Sequence, residues 1–177
     1  MPLDCEIGCG VGWHPIQYAK ANPERSLLAI EHTGAKFKRF QHRSFKHALA
    51  NLRPCHANAL SVIPAALWPE SIDRFFILYP NPNPKAKHAN LRWHNMPFME
   101  CLLTILKPGG SLQIATNERW YWEEAKKVLL ETWGFKIQSQ AVVNLDSHPN
   151  WNHRSHFEKK YLERGLDIYD LIVTKSP

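Results

Sequence analysis

With 177 residues, 44% hydrophobic and 21% charged, the chain has the length and balance of one globular domain, which excludes a disordered segment or a coiled coil. No apolar run approaches the roughly 20 residues of a membrane span, and Met1-Pro2-Leu3-Asp4 lacks the basic-then-apolar pattern of a secretory leader. The net charge of +6 and pI near 9.2 favour an anionic partner, and Cys5, Cys9, Cys55 and Cys101 form no CxxC pair, so reduced thiols in a cytoplasmic protein are expected.

Short apolar runs alternate with helical patterns, which predicts a βαβ series and a mostly parallel sheet. Leu3 to Ile7 reads as a buried strand, followed by a short helix from Pro15 to Ala21 that Asn22-Pro23 stops. Ser26 to Glu31 is the second strand. Ala35 to Leu52 reads as a basic helix with Phe37, Phe40, Phe45 and Leu49 for its inner face. Cys55 to Ala59 and Ile72 to Tyr79 are the third and fourth strands. Trp93 to Leu106 reads as a helix ended by the turn Lys107-Pro108-Gly109-Gly110, before a fifth strand from Ser111 to Thr116. A helix from Arg119 to Trp133 closes on Gly134. Lys136 to Val143 and Tyr169 to Lys175 are the last strands, joined by a polar, His-rich connection, Asn144 to Leu166, whose length suggests a functional loop. No repeat or linker divides the chain. The acid-free stretch between Glu31 and Glu70 carries Lys36, Lys38, Arg39, Arg43, Lys46 and Arg53; a second, Arg74 to Met99, carries Lys85, Lys87 and Arg92. Each is either a solvated face or a surface for a polyanion.

Glu6-Ile7-Gly8-Cys9-Gly10-Val11-Gly12 places a glycine turn directly after the first strand, where such sheets take a nucleotide-like ligand. Glycines let backbone approach the ligand at positive φ. The spacing is GxGxG, not the GxGxxG that faces a pyrophosphate. S-adenosylmethionine carries an ammonium and a sulfonium and no phosphate, so the acid at Glu6 suits it. Glu31, ending the second strand, can accept hydrogen bonds from two ribose hydroxyls, and Asn58 follows the third strand where an adenine contact is usual. The competing readings are a nicotinamide site, or a plain turn with a surface Glu and a turn Asn. After the fourth strand comes Tyr79-Pro80-Asn81-Pro82-Asn83-Pro84-Lys85, a loop stiffened by three prolines beside the expected pocket. Trp120, Trp122 and Trp151 are the better base-stacking candidates among seven tryptophans, and His148, His153 and His156 are expected to meet phosphate or solvent, with no metal site.

These motifs, with Leu106-Lys107-Pro108-Gly109-Gly110, Ala115-Thr116-Asn117, Ser155-His156-Phe157-Glu158 and Asp170-Leu171-Ile172, resemble the tRNA (guanine-N7-)-methyltransferases in order and approximate spacing from Leu3 onward. The resemblance implies a single Rossmann-like class I S-adenosylmethionine-dependent methyltransferase domain over 1–177: a seven-stranded mostly parallel α/β sheet with helices on both faces and the last strand antiparallel. It implies cofactor contacts from Glu6, Gly8, Gly10, Gly12, Glu31, Asn58 and Asn81, with Asn81 bordering the reacting groups. It implies substrate contacts from Lys85, Asn117, Ser155, His156, Phe157 and Glu158, and tRNA as partner to a monomer or weak homodimer. The family's aspartates are asparagine at 58, 81 and 117, its Thr is Ser155, and only five residues precede Glu6 where the family carries an N-terminal arm. The asparagines predict reduced guanine-N7 activity, and the short N-terminus means either that the sequence continues upstream or that substrate binding is altered; the alternatives are another RNA or small acceptor, or a weakened cofactor- or RNA-binding homologue.

Overall fold

A computed structural model describes residues 1–149 and 151–176. Its strands are β1 (Leu3–Ile7), β2 (Ser26–Glu31), β3 (Leu52–His56), β4 (Ile72–Leu78), β5 (Leu106–Thr116), β6 (Lys136–Val143) and β7 (Ile168–Thr174). They form one sheet in the order β3-β2-β1-β4-β5-β7-β6. β7 runs antiparallel to both of its neighbours, and the other pairings are parallel. The expected seven-stranded, mostly parallel α/β architecture is therefore present.

Side chains alternate across the sheet and so sort the helices onto two faces. Cys5, Ile7, Phe75 and Ile77 point into a core shared with α3 (Ala59–Ala66), α4 (Phe98–Ile105) and α5 (Arg119–Glu131). Leu27, Ala29 and Phe76 point the other way, into a core with α1 (Trp13–Ala21) and α2 (Gly34–His47). Asp4 and Glu6 share that second direction. Asp4 is fully buried yet satisfied, accepting from Arg25 Nε at 2.7 Å and from the Tyr18 hydroxyl at 2.7 Å. Gly12 has φ +79, and a Cβ there would overlap the Phe40 ring, so only glycine lets α2 close over the start of α1.

Several boundaries differ from the sequence expectation, each for a local reason. The basic helix stops at His47, where Ala48 turns left-handed (φ 46), and Leu52 already belongs to β3. Phe45, expected inside, is 86% exposed, because Phe40 is the residue α2 buries. α3 occupies a stretch to which the sequence pattern assigns no element, between the third and fourth strands; it is only eight residues long and carries Pro64. Pro97 shortens the helix expected from Trp93, leaving a 3-10 turn at Trp93–Asn95 before α4. The Lys107–Gly110 turn is absorbed into β5: Gly109 N–H donates to Lys175 O and Lys175 N–H to Gly110 O. The His-rich connection holds one further helix, α6 (His156–Glu163), which packs Leu162 against Val143 and Ile168. Asn150 lies outside the described residues. Among the described residues no helix is long and apolar enough to cross a membrane.

Candidate active site

Strand order reverses at β1, whose neighbours are β2 and β4. A crevice opens beyond the carboxyl ends of such strands because their connections leave in opposite directions. Two adjoining clefts occupy it here and share Gly8, Lys36, Leu78, Tyr79 and Asn81. The first, about 270 Å³, is lined also by Glu31, Asn58 and Trp93. The second, about 460 Å³, runs past Glu6, Gly10, Trp13, His14 and Arg39 to Ser155, His156 and Phe157.

The glycine turn is fastened to β2. Gly8 and Cys9 N–H groups donate to Ile30 O at 2.9 and 3.0 Å, and Gly10 N–H donates to Glu31 Oε2 at 2.8 Å. The other carboxylate oxygen of Glu31 accepts from Thr33 N–H at 2.7 Å. Burial alone would raise the Glu31 pKa, but the Thr33 and Gly10 hydrogen bonds and nearby Lys36 outweigh it and hold the carboxyl below its ordinary value. Each oxygen keeps a second lone pair, so the carboxylate can still accept from a diol. Gly8 and Gly10 stand at φ +76 and +61, and a Cβ on either would project into open space. Backbone, open cleft and a pinned carboxylate together fit an adenosyl-bearing ligand.

Glu6 is 3% exposed and accepts a hydrogen bond from His14 Nδ1 at 2.7 Å. Asn58 Oδ1 caps α3 by accepting from Leu60 N–H at 3.0 Å, leaving its amide nitrogen as the free group. Asn81 Oδ1 is turned toward Asn83 N–H at 3.2 Å.

The proline loop is braced at both ends. Tyr79, left-handed at φ +54, donates its hydroxyl to Glu158 Oε1 at 2.7 Å. Burial first, then the Glu158 charge, pushes this phenol well above its ordinary pKa, so it stays a donor. Asn83 O accepts from Arg92 Nε and Nη2, and Arg92 in turn grips Glu124 at 2.7 and 2.9 Å.

Most of the expected site residues therefore converge. Gly12 does not line either cleft, because it packs on Phe40 behind the turn. Lys85 is exposed outside them, and Asn117 donates to Glu118 Oε1. Glu158 is fully buried, its carboxylate occupied by Tyr79 and Arg154. Trp122 is buried against the sheet, and Trp120 lies under the Arg92 guanidinium. Trp93 lines the first cleft, and Trp13 lines the second with His14, Lys36, Arg39 and Tyr79 beside it. Lys36 and Arg39 have a sequence signal, their place in the acid-free basic stretch, and Tyr79 heads the proline loop; Trp13 and His14 have none beyond their place just after the glycine turn.

A family model described as "Putative methyltransferase" matches residues 1–171. The tRNA (guanine-N(7)-)-methyltransferase of Nitrosospira multiformis is 32% identical over 99% of this chain and 75% of its own length. The chain belongs to this family. The enzyme of the same name from Nitrosomonas eutropha is also 32% identical, over 99% of this chain and 77% of its own. Among solved structures, the 16S rRNA methyltransferase KamB matches all of this chain and 89% of its own with a TM-score of 0.71 at 16% identity. That likeness places the sheet in the Rossmann-like class I methyltransferase fold, as the strand order does.

Acid should loosen the framework around the site. Glu31, Asp73, Glu124 and Glu158 all have folded pKa values below the ordinary carboxyl range. Burial holds His94 below its ordinary 6.5 as well, outweighing the nearby Glu124. In every case the unfolded chain binds more protons, so the stability is present above the unfolded pKa and is lost as pH falls toward the folded one. The melting temperature should decline slightly below about pH 6.5 as His94 charges and steeply below about 4.5. A melting curve unchanged from pH 7 to 4 would contradict these assignments.

Proposed function

We propose that this chain transfers the methyl group of S-adenosylmethionine to N7 of a guanine in tRNA. The observation that carries the reading is the pair of joined clefts. A pinned ribose-type carboxylate lies in one, an exposed aromatic and basic mouth in the other, and Asn81 on their shared wall. The substrate is supported by the activity for which the family relatives are named. Bound in the crevice, S-adenosylmethionine supplies an electrophilic methyl on a sulfonium.

Guanine N7 offers a lone pair and no proton, so no general base is required. The chain's own work is then positioning, which can supply most of the rate. Glu31 holds the ribose, Glu6 (steadied by His14) faces the ammonium, and the amide of Asn58 is left for the adenine. The backbones of Gly8 and Gly10 floor the cleft. Ser155, His156 and Phe157 border the acceptor, and Phe157, 46% exposed, offers it an aromatic face. Lys85 and Asn117 meet RNA beyond the clefts.

The test uses purified protein, labelled S-adenosylmethionine and unmodified tRNA, with nucleosides separated after digestion. Label in N7-methylguanosine is expected. Label in another nucleoside, or none, overturns the proposal.

Asn81 sets a further expectation. N7 methylation leaves positive charge on the base, which a carboxylate stabilises and an amide does not. Asn81→Asp should still accept the Asn83 N–H and should raise turnover by roughly tenfold, the scale of one charged contact. An unchanged or lower kcat for Asn81→Asp would refute that role for the position.

A further inference from the structure

The acceptor cleft does not end at its mouth. Trp13, which lines it, also lines a groove of about 360 Å³ between α1 and α2, together with Lys20, Arg43 and His47. On α2, Lys36 and Arg39 line the cleft while Arg43 and His47 line the groove. Residues 36, 39, 43 and 47 fall at i, i+3, i+7 and i+11, which places them in one stripe along one helix face. The stripe runs from the cleft to the groove, and α2 contains no acid to interrupt it. Among the described residues, none of Lys20, Lys36, Arg39 and Arg43 is held in an ion pair. Trp13 is 37% exposed, and its indole N–H donates to His153 O at 3.3 Å. The ring is thus pinned at one edge with part of its surface open, which lowers the ordering cost of stacking on it.

We infer that this track is an RNA docking surface outside the methyl-transfer cleft. Trp13 stacks on a base next to the target nucleotide, and Lys20, Arg43 and His47 take the phosphates that follow. The inference rests on the RNA methyltransferase reading and adds where the strand leaves the cleft. Free cations in line suit a phosphate backbone, because each contact releases condensed counterions. An aromatic face between them suits an unpaired base of any identity. The track therefore supplies affinity and register, while base choice stays in the cleft.

The test is binding of unmodified tRNA to the full chain across a salt series. Lys20→Gln/Arg43→Gln should weaken binding at least tenfold at low salt and reduce the slope of log affinity against log salt by about two. Lys127→Gln, an exposed cation on α5 across the sheet, should leave the slope unchanged. Trp13→Leu should weaken binding roughly fivefold to a hundredfold with the slope intact, and Trp13→Phe should restore most of it. Melting temperatures near wild type confirm folded variants. If wild type binds and methylates tRNA but the double variant and Trp13→Leu keep wild-type affinity and slope, the track is overturned and the function stands. A slope change of about one from Lys127→Gln, equal per cation to that of the double variant, also overturns it, since generic charge would then explain the effect. Wild type that binds no tRNA overturns both.

Discussion

Glu31→Ala should weaken S-adenosylmethionine binding by about a hundredfold or more. The carboxylate is 3% exposed and is held by two backbone donors, Gly10 and Thr33. Its remaining lone pairs are already oriented, so a ribose diol meets it without reorganisation. A hydrogen bond to a charged group contributes about 1.5–3 kcal/mol, and alanine removes two from the ligand. It also frees Gly10 N–H, slackening the turn that floors the cleft. Glu31→Gln keeps the volume, but its amide nitrogen must face one of the two N–H donors, so a loss nearer tenfold is expected. Calorimetry with S-adenosylmethionine and S-adenosylhomocysteine separates ribose recognition from recognition of the sulfonium. Both ligands should lose affinity by the same factor, since both carry the ribose. Affinity of Glu31→Ala within threefold of wild type would remove Glu31 from the cofactor site.

The place of Glu31 in the cleft was legible because it depends on local order: a carboxylate at the end of the strand that follows the glycine turn. The central strands were legible for a related reason. β2 and the end of β4 at 75–78 are largely buried in the sheet and read as nearly continuous apolar runs, while β1 alternates Leu3, Cys5 and Ile7 with Asp4 and Glu6. α6 was hidden because it buries little, only Glu158 and Leu162 in eight residues. Its start is written in Ser155-His156-Phe157-Glu158, the sequence pattern of a capping box, of which the serine half forms: Ser155 Oγ accepts from Glu158 N–H at 3.0 Å, while the Glu158 carboxylate turns to Arg154 N–H. The same four residues read as a substrate motif, and the segment divides between two surroundings: Ser155, His156 and Phe157 line the cleft while Ser155 also caps the helix and Glu158 is buried beneath it. The part of Lys36 and Arg39 was not legible. It depends on α2 closing over the glycine turn, and that rests on Gly12 meeting Phe40, a contact no local pattern reveals.

Glu158 shows the same limit at greater cost to the fold, because its partners lie at 79 and 154 and, through Arg154, at 170. The carboxylate is fully buried and accepts from the Tyr79 hydroxyl, from Arg154 Nη2 at 2.7 Å and Nε at 3.0 Å, and from Arg154 N–H. Arg154 also reaches Asp170 on β7 at 3.0 Å. Burial opposes the ionised Glu158, yet the Arg154 contacts prevail and keep its pKa low. Replacing both charges with apolar groups can be nearly neutral, but removing one strands the other. Glu158→Ala should therefore destabilise the chain by about 3–5 kcal/mol, a fall in melting temperature on the order of 10 °C for a domain of this size. Tyr79→Phe removes one hydrogen bond and leaves Glu158 its other donors, so about 1 kcal/mol is expected. Because Tyr79 is the left-handed residue that turns β4 into the proline loop, Glu158→Ala should lower turnover through a displaced Asn81, and Tyr79→Phe should do so less. Thermal melts beside steady-state kinetics decide the matter. A Glu158→Ala protein that melts with wild type and fails only in kcat/KM for tRNA would make this carboxylate a base contact. A protein that loses stability and turnover together makes it the brace beneath the proline loop.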